Sequence, residues 1–289
     1  LDKWSNLTSQ PMGIRKALLM DQDRIVVQKT TTDNSGDDFW IWKAGREGGQ
    51  FQSRTKSHSN IGTDSANRRV PSGWLVEGNV LISWGKDGFI RCMSAEGDEL
   101  AKITFDSVGG IDHCIPLHGE EDDPEALPEL LISSRNQLFL VKPVQRIAIP
   151  VPFQPELDEL FLRAWSTSCG VLVLTSHNLM ELVVSPTEDP TLTHCLSVGE
   201  VCGERARFTA DSTMLDLTDS SVLAWLGVET LADDTHVMGK QNISSRQALG
   251  LVFDGDFEVQ TKKIWLDVSL VSETKRGLLL RGADGKLFT

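Results

Sequence analysis

Short stretches of alternating apolar and polar residues recur along the chain, joined in pairs by polar or glycine-containing turns. Alternation with a period of two places successive side chains on opposite faces of an extended strand, so each pair of stretches predicts a β-hairpin. No stretch has the pattern of an amphipathic helix. The predicted hairpins number seven and cover residues 16–29, 79–93, 129–142, 171–184, 212–227, 248–259 and 277–288.

The predicted turns recur on average about every 44 residues, which is the spacing of the four-stranded blades of a β-propeller. Hairpins that are apolar on both faces cannot bury themselves singly, whereas stacking around a ring covers both faces. We therefore expect an all-β fold, a closed β-propeller of about seven blades of short antiparallel strands, forming one domain over residues 1–289. The rival architecture is a pair of β-sandwiches divided near the proline-rich stretch 143–155.

Two segments interrupt the regular pattern. Residues 45–70 combine several glycines with polar residues and almost no aliphatic ones, which predicts an inserted surface loop. Residues 119–128 carry an acidic run that predicts a hydrated loop, because like charges repel one another.

The segment 78–91, in which a strand, the turn Asp87-Gly88 and a second strand follow one another, resembles the middle hairpin of a WD-repeat blade. Cys92-Met93 stands where the usual Trp-Asp pair of that family would be. The segment 265–288 is instead similar to a repeat of the regulator-of-chromosome-condensation family, whose continuation resembles residues 1–13. This second resemblance implies that an N-terminal strand, residues 1–6, completes the last blade, which would remove an exposed sheet edge.

The two resemblances cover about half of the chain and imply different functions. A WD-repeat protein would be a passive platform for peptides and protein edges. A protein of the chromosome-condensation family would be a scaffold or a guanine-nucleotide exchange factor for a small GTPase, and no exchange-active residue can be assigned here. Residues 45–70 would be the candidate wedge for exchange.

The composition fits a folded globular protein: 40% of residues are hydrophobic and 24% are charged. The formal net charge of −13 opposes binding to a polyphosphate backbone, so nucleic acid is not expected as the main ligand. Protein partners are expected instead, and charged clusters are the candidate contact residues. The candidates are Arg54, Lys56, Arg68 and Arg69 in one cluster and Glu120, Glu121, Asp122 and Asp123 in the other.

The five cysteines form an odd set without regular spacing, which favours a reduced cytoplasmic or nuclear setting. Glycosylation sequons at Asn6 and Asn242 keep secretion open as the alternative. No apolar run reaches the roughly 18 residues that a membrane span needs.

The catalytic and metal-binding patterns that we sought are missing. No two of the six histidines have the four-residue spacing of a metalloprotease helix, and no nucleophile elbow is present. The stretches Asp112-His113-Cys114 and His194-Cys195, with Cys202, offer too few spaced ligands for a tetrahedral site, so no metal or cofactor is predicted. Most tryptophans sit at or beside predicted strands, where packing between sheets is the expected role.

The sequence therefore favours a non-enzymatic scaffold or adaptor subunit of a larger intracellular complex. An exchange factor for a small GTPase is the alternative, and a propeller hydrolase with its site in the central channel is a further one.

Overall fold

The computed structural model describes the following parts of the chain: residues 14–30, 37–45, 48–56, 73–85, 87–105, 110–117, 127–134, 137–153, 158–185, 188–218, 221–231, 243–254, 259–266, 269–274, 277–281 and 286–288. These residues form antiparallel strands and one short helix. The chain divides into two compact units, Leu1–Pro150 and Val151–Thr289. The division falls inside the proline-rich stretch 143–155, and the single-domain organisation stays a prediction.

The first unit contains three four-stranded sheets, and in each of them strands that follow one another in sequence are paired. Sheet 1 consists of β1 (Ile14–Leu19), β2 (Arg24–Thr30), β3 (Asp37–Gly45) and β4 (Gly48–Lys56). Sheet 2 consists of β5 (Gly73–Glu77), β6 (Val80–Trp84), β7 (Phe89–Met93) and β8 (Glu99–Thr104). Sheet 3 consists of β9 (His113–Leu117), β10 (Glu129–Ser134), β11 (Gln137–Lys142) and β12 (Ile147–Val151).

The second unit repeats this meander. Sheet 4 consists of β13 (Phe161–Thr167), β14 (Gly170–Thr175), β15 (Asn178–Val183) and β16 (Thr191–Ser197), after which the helix α1 (Val198–Cys202) follows. Sheet 5 consists of β17 (Ala206–Phe208), β18 (Thr213–Thr218), β19 (Ser221–Leu231), β20 (Ile243–Asp254) and β21 (Val259–Leu266). Sheet 6 consists of β22 (Ser269–Thr274), β23 (Gly277–Arg281) and β24 (Leu287–Phe288).

All seven predicted hairpins are present as antiparallel pairs, but they lie in six described sheets. The hairpins predicted at 212–227 and 248–259 share sheet 5, because β19 and β20 pair with each other along most of their length. Strands β17 and β18 pair with different parts of β19 and together occupy one edge of that sheet. The all-β fold is confirmed at this level, whereas the number of blades and the closure of a ring stay predictions.

The prediction of a loop over residues 45–70 is wrong for residues 48–56. Residues Gly48–Lys56 form β4, which pairs with β3 from Asp38 to Gly45. This strand is polar because it is an edge strand, where backbone pairing on one side suffices and apolar alternation is not required. The remainder of the predicted loop, residues 57–70, and most of the acidic loop 119–128 lie outside the described residues.

Within the first unit the sheets stack in chain order. Leu81 of β6 packs in one buried cluster with Val26 and Phe39 of sheet 1. Its neighbour Ile82 points to the opposite face and packs in another cluster with Leu130 of sheet 3. Because successive side chains of a strand face opposite sides, one continuous apolar run covers both faces of sheet 2.

The second unit follows the same rule. Ala224 and Leu226 of β19 lie in a buried cluster with Leu172 of sheet 4. Between them in sequence, Trp225 lies in a separate cluster with Leu280 of sheet 6. Sheet 5 is therefore buried between its two sequence neighbours, which is the packing expected of consecutive propeller blades.

Backbone hydrogen bonds fix the connection between sheets 2 and 3 to the turn between β6 and β7. The Phe105 N–H donates to the Gly88 carbonyl at 2.8 Å, and the Ile111 N–H donates to the Gly85 carbonyl at 3.2 Å. Gly88 has a φ of 75°, and a Cβ at that position would lie 2.9 Å from the Phe105 carbonyl oxygen. The turn predicted at Asp87-Gly88 thus requires glycine for both conformation and space.

The helix α1 is an element that the hydrophobic pattern did not predict. It is five residues long and begins at a capping box, in which the Gly199 N–H donates to Ser197 Oγ at 3.2 Å and the Ser197 N–H donates to Glu200 Oε2 at 3.3 Å. The pair Ser197 and Glu200 has the spacing of a capping box and is the signal that could have identified it. No helix of the described residues is long and apolar enough to cross a membrane.

Candidate functional site

A polar cavity lies in the first unit where sheets 1 and 2 meet. It is built from the start of β2, the turn 78–79 between β5 and β6, and the turn 94–98 between β7 and β8. Its volume is about 290 Å³. We call it the Arg24 groove, and it is lined by Arg24, Asn79, Val80, Ser94, Ala95, Glu96, Asp98 and Leu100.

The Arg24 side chain joins three turns. Its Nε lies 2.5 Å from Asp21 Oδ2 in the β1–β2 turn, and its Nη1 lies 3.2 Å from Glu96 Oε1 in the β7–β8 turn. Its Nη2 donates to Asn79 Oδ1 in the β5–β6 turn at 3.5 Å. The guanidinium is planar and carries several donors in fixed directions, so it can hold three separate acceptors in one geometry.

Asp21 contacts both the Arg24 guanidinium and the backbone of its own turn. Its Oδ1 accepts hydrogen bonds from the backbone N–H groups of Asp23 at 2.9 Å and of Arg24 at 2.7 Å. Desolvation of the carboxyl opposes its ionisation, but these hydrogen bonds and the one from the Arg24 guanidinium outweigh it and lower the pKa of Asp21 to about 2. The carboxylate therefore stays charged at neutral pH and keeps the turn closed.

The wall formed by residues 94–98 is fixed by its own hydrogen bonds. Ser94 Oγ accepts from the backbone N–H groups of Glu96 at 3.1 Å and of Asp98 at 3.2 Å. The Ser94 N–H donates to the Asp98 carbonyl at 2.8 Å, and the Gly97 N–H donates to the Ser94 carbonyl at 3.0 Å. Gly97 has a φ of 91°, which suits glycine in such a tight turn. The groove is therefore formed before any ligand arrives.

The groove is acidic overall. Among the described residues that line it, Arg24 is the single cation and Glu96 and Asp98 are carboxylates, while Asp21 pairs with Arg24. Glu96 is largely exposed, with a side-chain exposure of 62%. Leu100, which is 42% exposed, supplies an apolar surface beside these charges, whereas Val80 and Ala95 are almost fully buried at the wall. A groove of this kind can hold a side chain that has an apolar stem and a charged end.

Three of the described tryptophans act in packing, as predicted. Trp74, Trp84 and Trp225 are buried. The Trp74 Nε1–H donates to Gln28 Oε1 at 2.7 Å, so its one polar group is satisfied inside the core. In β3 of sheet 1, Trp40 and Trp42 lie on the face opposite to the buried residues Phe39 and Ile41. Their rings stack with centroids 6.4 Å apart, and Lys29 Nζ lies 4.6 Å from the centre of the Trp40 ring.

The described residues include two of the predicted contact residues. Arg54 and Lys56 lie on the edge strand β4, where Arg54 pairs with Trp40 and Lys56 pairs with Asp38. The other predicted contact residues lie outside the described parts of the chain, and all of these assignments stay predictions. Those residues are Arg68, Arg69, Glu120, Glu121, Asp122 and Asp123.

Burial makes several of the cysteines poor nucleophiles, because it raises the thiol pKa and so lowers the fraction of thiolate. Burial raises the pKa of Cys92 to about 12 and the pKa of Cys195 to about 11. Burial, with a smaller contribution from Cys92, also raises the pKa of Cys114 well above its ordinary value. All five cysteines lie in the described residues, and none of them forms a disulfide. Within the described ranges no group of three or more His, Cys, Asp or Glu side chains is arranged to hold a metal ion.

The Arg24 groove was missed at the level of sequence because its residues come from three hairpins. Asp21, three residues before Arg24, is a local signal, since an aspartate at the start of a turn accepts backbone N–H groups a few residues on. Ser94 and Gly97 are the corresponding turn residues of the β7–β8 turn. The partners Asn79 and Glu96 are 55 and 72 residues away in sequence, and only the stacking of sheet 2 on sheet 1 brings them near.

No protein-family profile matches the chain, and no curated protein matches its sequence. Solved structures do match its fold. The Pan2 WD40 domain of Neurospora crassa aligns with 94% of this chain and 73% of its own, at 9% identity and a TM-score of 0.47. The Cps50 (Swd1) β-propeller domain of Myceliophteria thermophila aligns over 95% and 97%, at 9% identity and a TM-score of 0.45.

The tricorn protease aligns with 96% of this chain and 29% of its own, at 10% identity and a TM-score of 0.50. Identities this low show likeness of fold alone, and these neighbours include a WD40 domain, a β-propeller domain and a protease. The resemblance to a WD-repeat-like propeller is confirmed. The chain is an all-β protein whose described residues form antiparallel meander sheets.

Proposed function

We propose that this chain is a non-enzymatic protein-interaction module that binds a partner at the Arg24 groove. The observation that carries the proposal is the fixing of three turns by one guanidinium, which leaves a preformed cavity of about 290 Å³ at the edge of two stacked sheets. Turns presented by a rigid sheet scaffold are a common location for binding surfaces. A preformed site also avoids the entropy cost of ordering a loop on binding.

The architecture we propose is the closed propeller of about seven short blades that the sequence predicts, with the described sheets as blades of it. Sheets 2 and 5 are covered on both faces by their sequence neighbours, which supports stacking of blades. Sheet 6 has three described strands, and the predicted strand at residues 1–6 would supply the fourth. A ring closed in this way has no exposed sheet edge between its ends.

The setting we propose is a larger complex in the cytoplasm or nucleus. Five cysteines without a disulfide support a reducing compartment. The basic residues Arg54, Lys56, Arg68 and Arg69 are proposed as a second contact region. The acidic run from Glu120 to Asp123 is proposed as a docking segment for a basic partner.

Site-specific photo-cross-linking tests the location of the partner surface. A photoreactive amino acid replaces Leu100, which lines the groove and is 42% exposed, and in a control it replaces Val144, which is 72% exposed and lies in the β11–β12 turn. We expect a stoichiometric partner, purified with the chain from cells, to cross-link through position 100 and not through position 144. Equal cross-linking at both positions, or hydrolytic turnover by a chain that purifies without any partner, would overturn the proposal.

A further inference from the structure

We infer that the Arg24 groove accepts a lysine or arginine side chain from its partner. This inference rests on the proposed interaction function and names the chemistry that the site recognises. The described residues that line the groove include one cation, Arg24, and two carboxylates, Glu96 and Asp98. Asp21 pairs with Arg24, so the local charge is negative even with Arg24 included.

The charge of Arg24 is already neutralised. Its guanidinium contacts Asp21 at 2.5 Å and Glu96 at 3.2 Å, and its side chain is only 16% exposed. An incoming carboxylate or phosphate would have to approach Glu96 and Asp98 together, and like charges placed against each other across an interface are strongly unfavourable. The groove therefore discriminates against anions.

A cationic side chain, by contrast, is attracted by the carboxylates of the groove. Glu96 and Asp98 are exposed at the rim, and Asp98 has no ion-pair partner among the described residues. Either carboxylate can accept hydrogen bonds from an ammonium or guanidinium group, and such charge-assisted bonds are the stronger class. The whole chain, with a net charge of −13, adds a long-range attraction for a basic partner.

The apolar part of the groove fits the stem of the same side chain. Val80 and Ala95 are buried at its wall, and Leu100 is 42% exposed beside them. Lysine and arginine bury their methylene stems along such surfaces while the charged end stays near water. A cavity of about 290 Å³ is at the small end of the range for ligand pockets, which suits one long side chain.

The test is an NMR titration of the full chain with two capped tripeptides, acetyl-Gly-Arg-Gly-amide and acetyl-Gly-Glu-Gly-amide. We expect the arginine peptide to shift the backbone amides of residues 94–100 and the glutamate peptide to leave them in place. The double variant E96Q/D98N should lower the affinity for the arginine peptide by at least about tenfold. That factor corresponds to about 1.4 kcal/mol of binding free energy. The control variant Glu204→Gln changes an exposed carboxylate of the second unit and should leave the affinity unchanged.

Failure of this inference can be told from failure of the proposed function. An arginine peptide that shifts no groove amide, or a glutamate peptide that shifts the same amides equally, would overturn the basic specificity. Loss of affinity in E204Q equal to that in E96Q/D98N would do the same. If the partner still cross-links through position 100 in any of these cases, the interaction function stands and only the recognised chemistry is wrong.

Discussion

Arg24 and Glu96 form an ion pair at 3.2 Å that ties the β1–β2 turn of sheet 1 to the β7–β8 turn of sheet 2. The two residues are 72 positions apart in sequence. Since Arg24 also contacts Asp21 and Asn79, one side chain sets the shape of the groove.

Replacement of Arg24 by alanine should destabilise the protein. The variant leaves Asp21 and Asn79 without their guanidinium partner at a site that is mostly shielded from water, and we expect a loss of about 1–2 kcal/mol in the free energy of unfolding. The measurement is urea unfolding. The matched control is Arg246→Ala, because Arg246 is 70% exposed in its pair with Glu229 and should change stability by less than about 0.5 kcal/mol. Equal losses in both variants would show that the Arg24 contacts do not hold the turns.

The stability of the groove should depend on pH through Asp21. Its pKa in the folded chain is about 2, below the ordinary aspartate value of 3.8, so its stabilising effect is complete above that ordinary pKa and is lost as the pH falls toward 2. The variant Asp21→Asn should therefore be less stable than the wild type at pH 6, and the difference should shrink between about pH 4 and pH 2. The difference in urea midpoint across this range is the measurement, and a difference that does not vary with pH would contradict the assignment.

Gly88 should not tolerate a side chain. The variant Gly88→Ala places a Cβ 2.9 Å from the Phe105 carbonyl oxygen at a φ of 75°, so we expect a loss of about 1–3 kcal/mol. The control is Gly199→Ala in the helix α1, where the added Cβ meets ordinary contacts at 3.5 Å and alanine favours the helix. Thermal unfolding of both variants tests this, and a neutral Gly88→Ala would show that the turn can rearrange.

The cysteines should react with maleimide in two groups. Cys92 and Cys114 are buried with a raised thiol pKa, so they should remain unmodified in the folded chain at pH 7.5, whereas the partly exposed Cys169 and Cys202 should react first. Peptide mass spectrometry after timed labelling gives the order. Early modification of Cys92 would mean that the core between sheets 2 and 3 opens readily.

The local part of the fold was predictable from sequence because hairpins are local. Alternation and turn residues identified all seven pairs, including the turn at Gly88. The strand β4 was missed because its polar sequence lies at a sheet edge, where burial does not impose alternation. The sharing of sheet 5 by two hairpins was missed because it depends on β19 pairing with β20 across a long connection. The groove was missed for the same reason, since its partners meet only after the sheets stack.

Binding of the purified partner to a charge-reversed groove tests the central claim most directly. The variant E96K/D98K reverses both exposed carboxylates of the groove, and E204K makes the same change at an exposed site in the second unit. The affinity is measured by calorimetry. We predict that E96K/D98K lowers the affinity for the partner by at least about tenfold, whereas E204K keeps the wild-type affinity. Unchanged affinity in E96K/D98K, with both proteins folded, would contradict the assignment of the Arg24 groove as the partner-binding site.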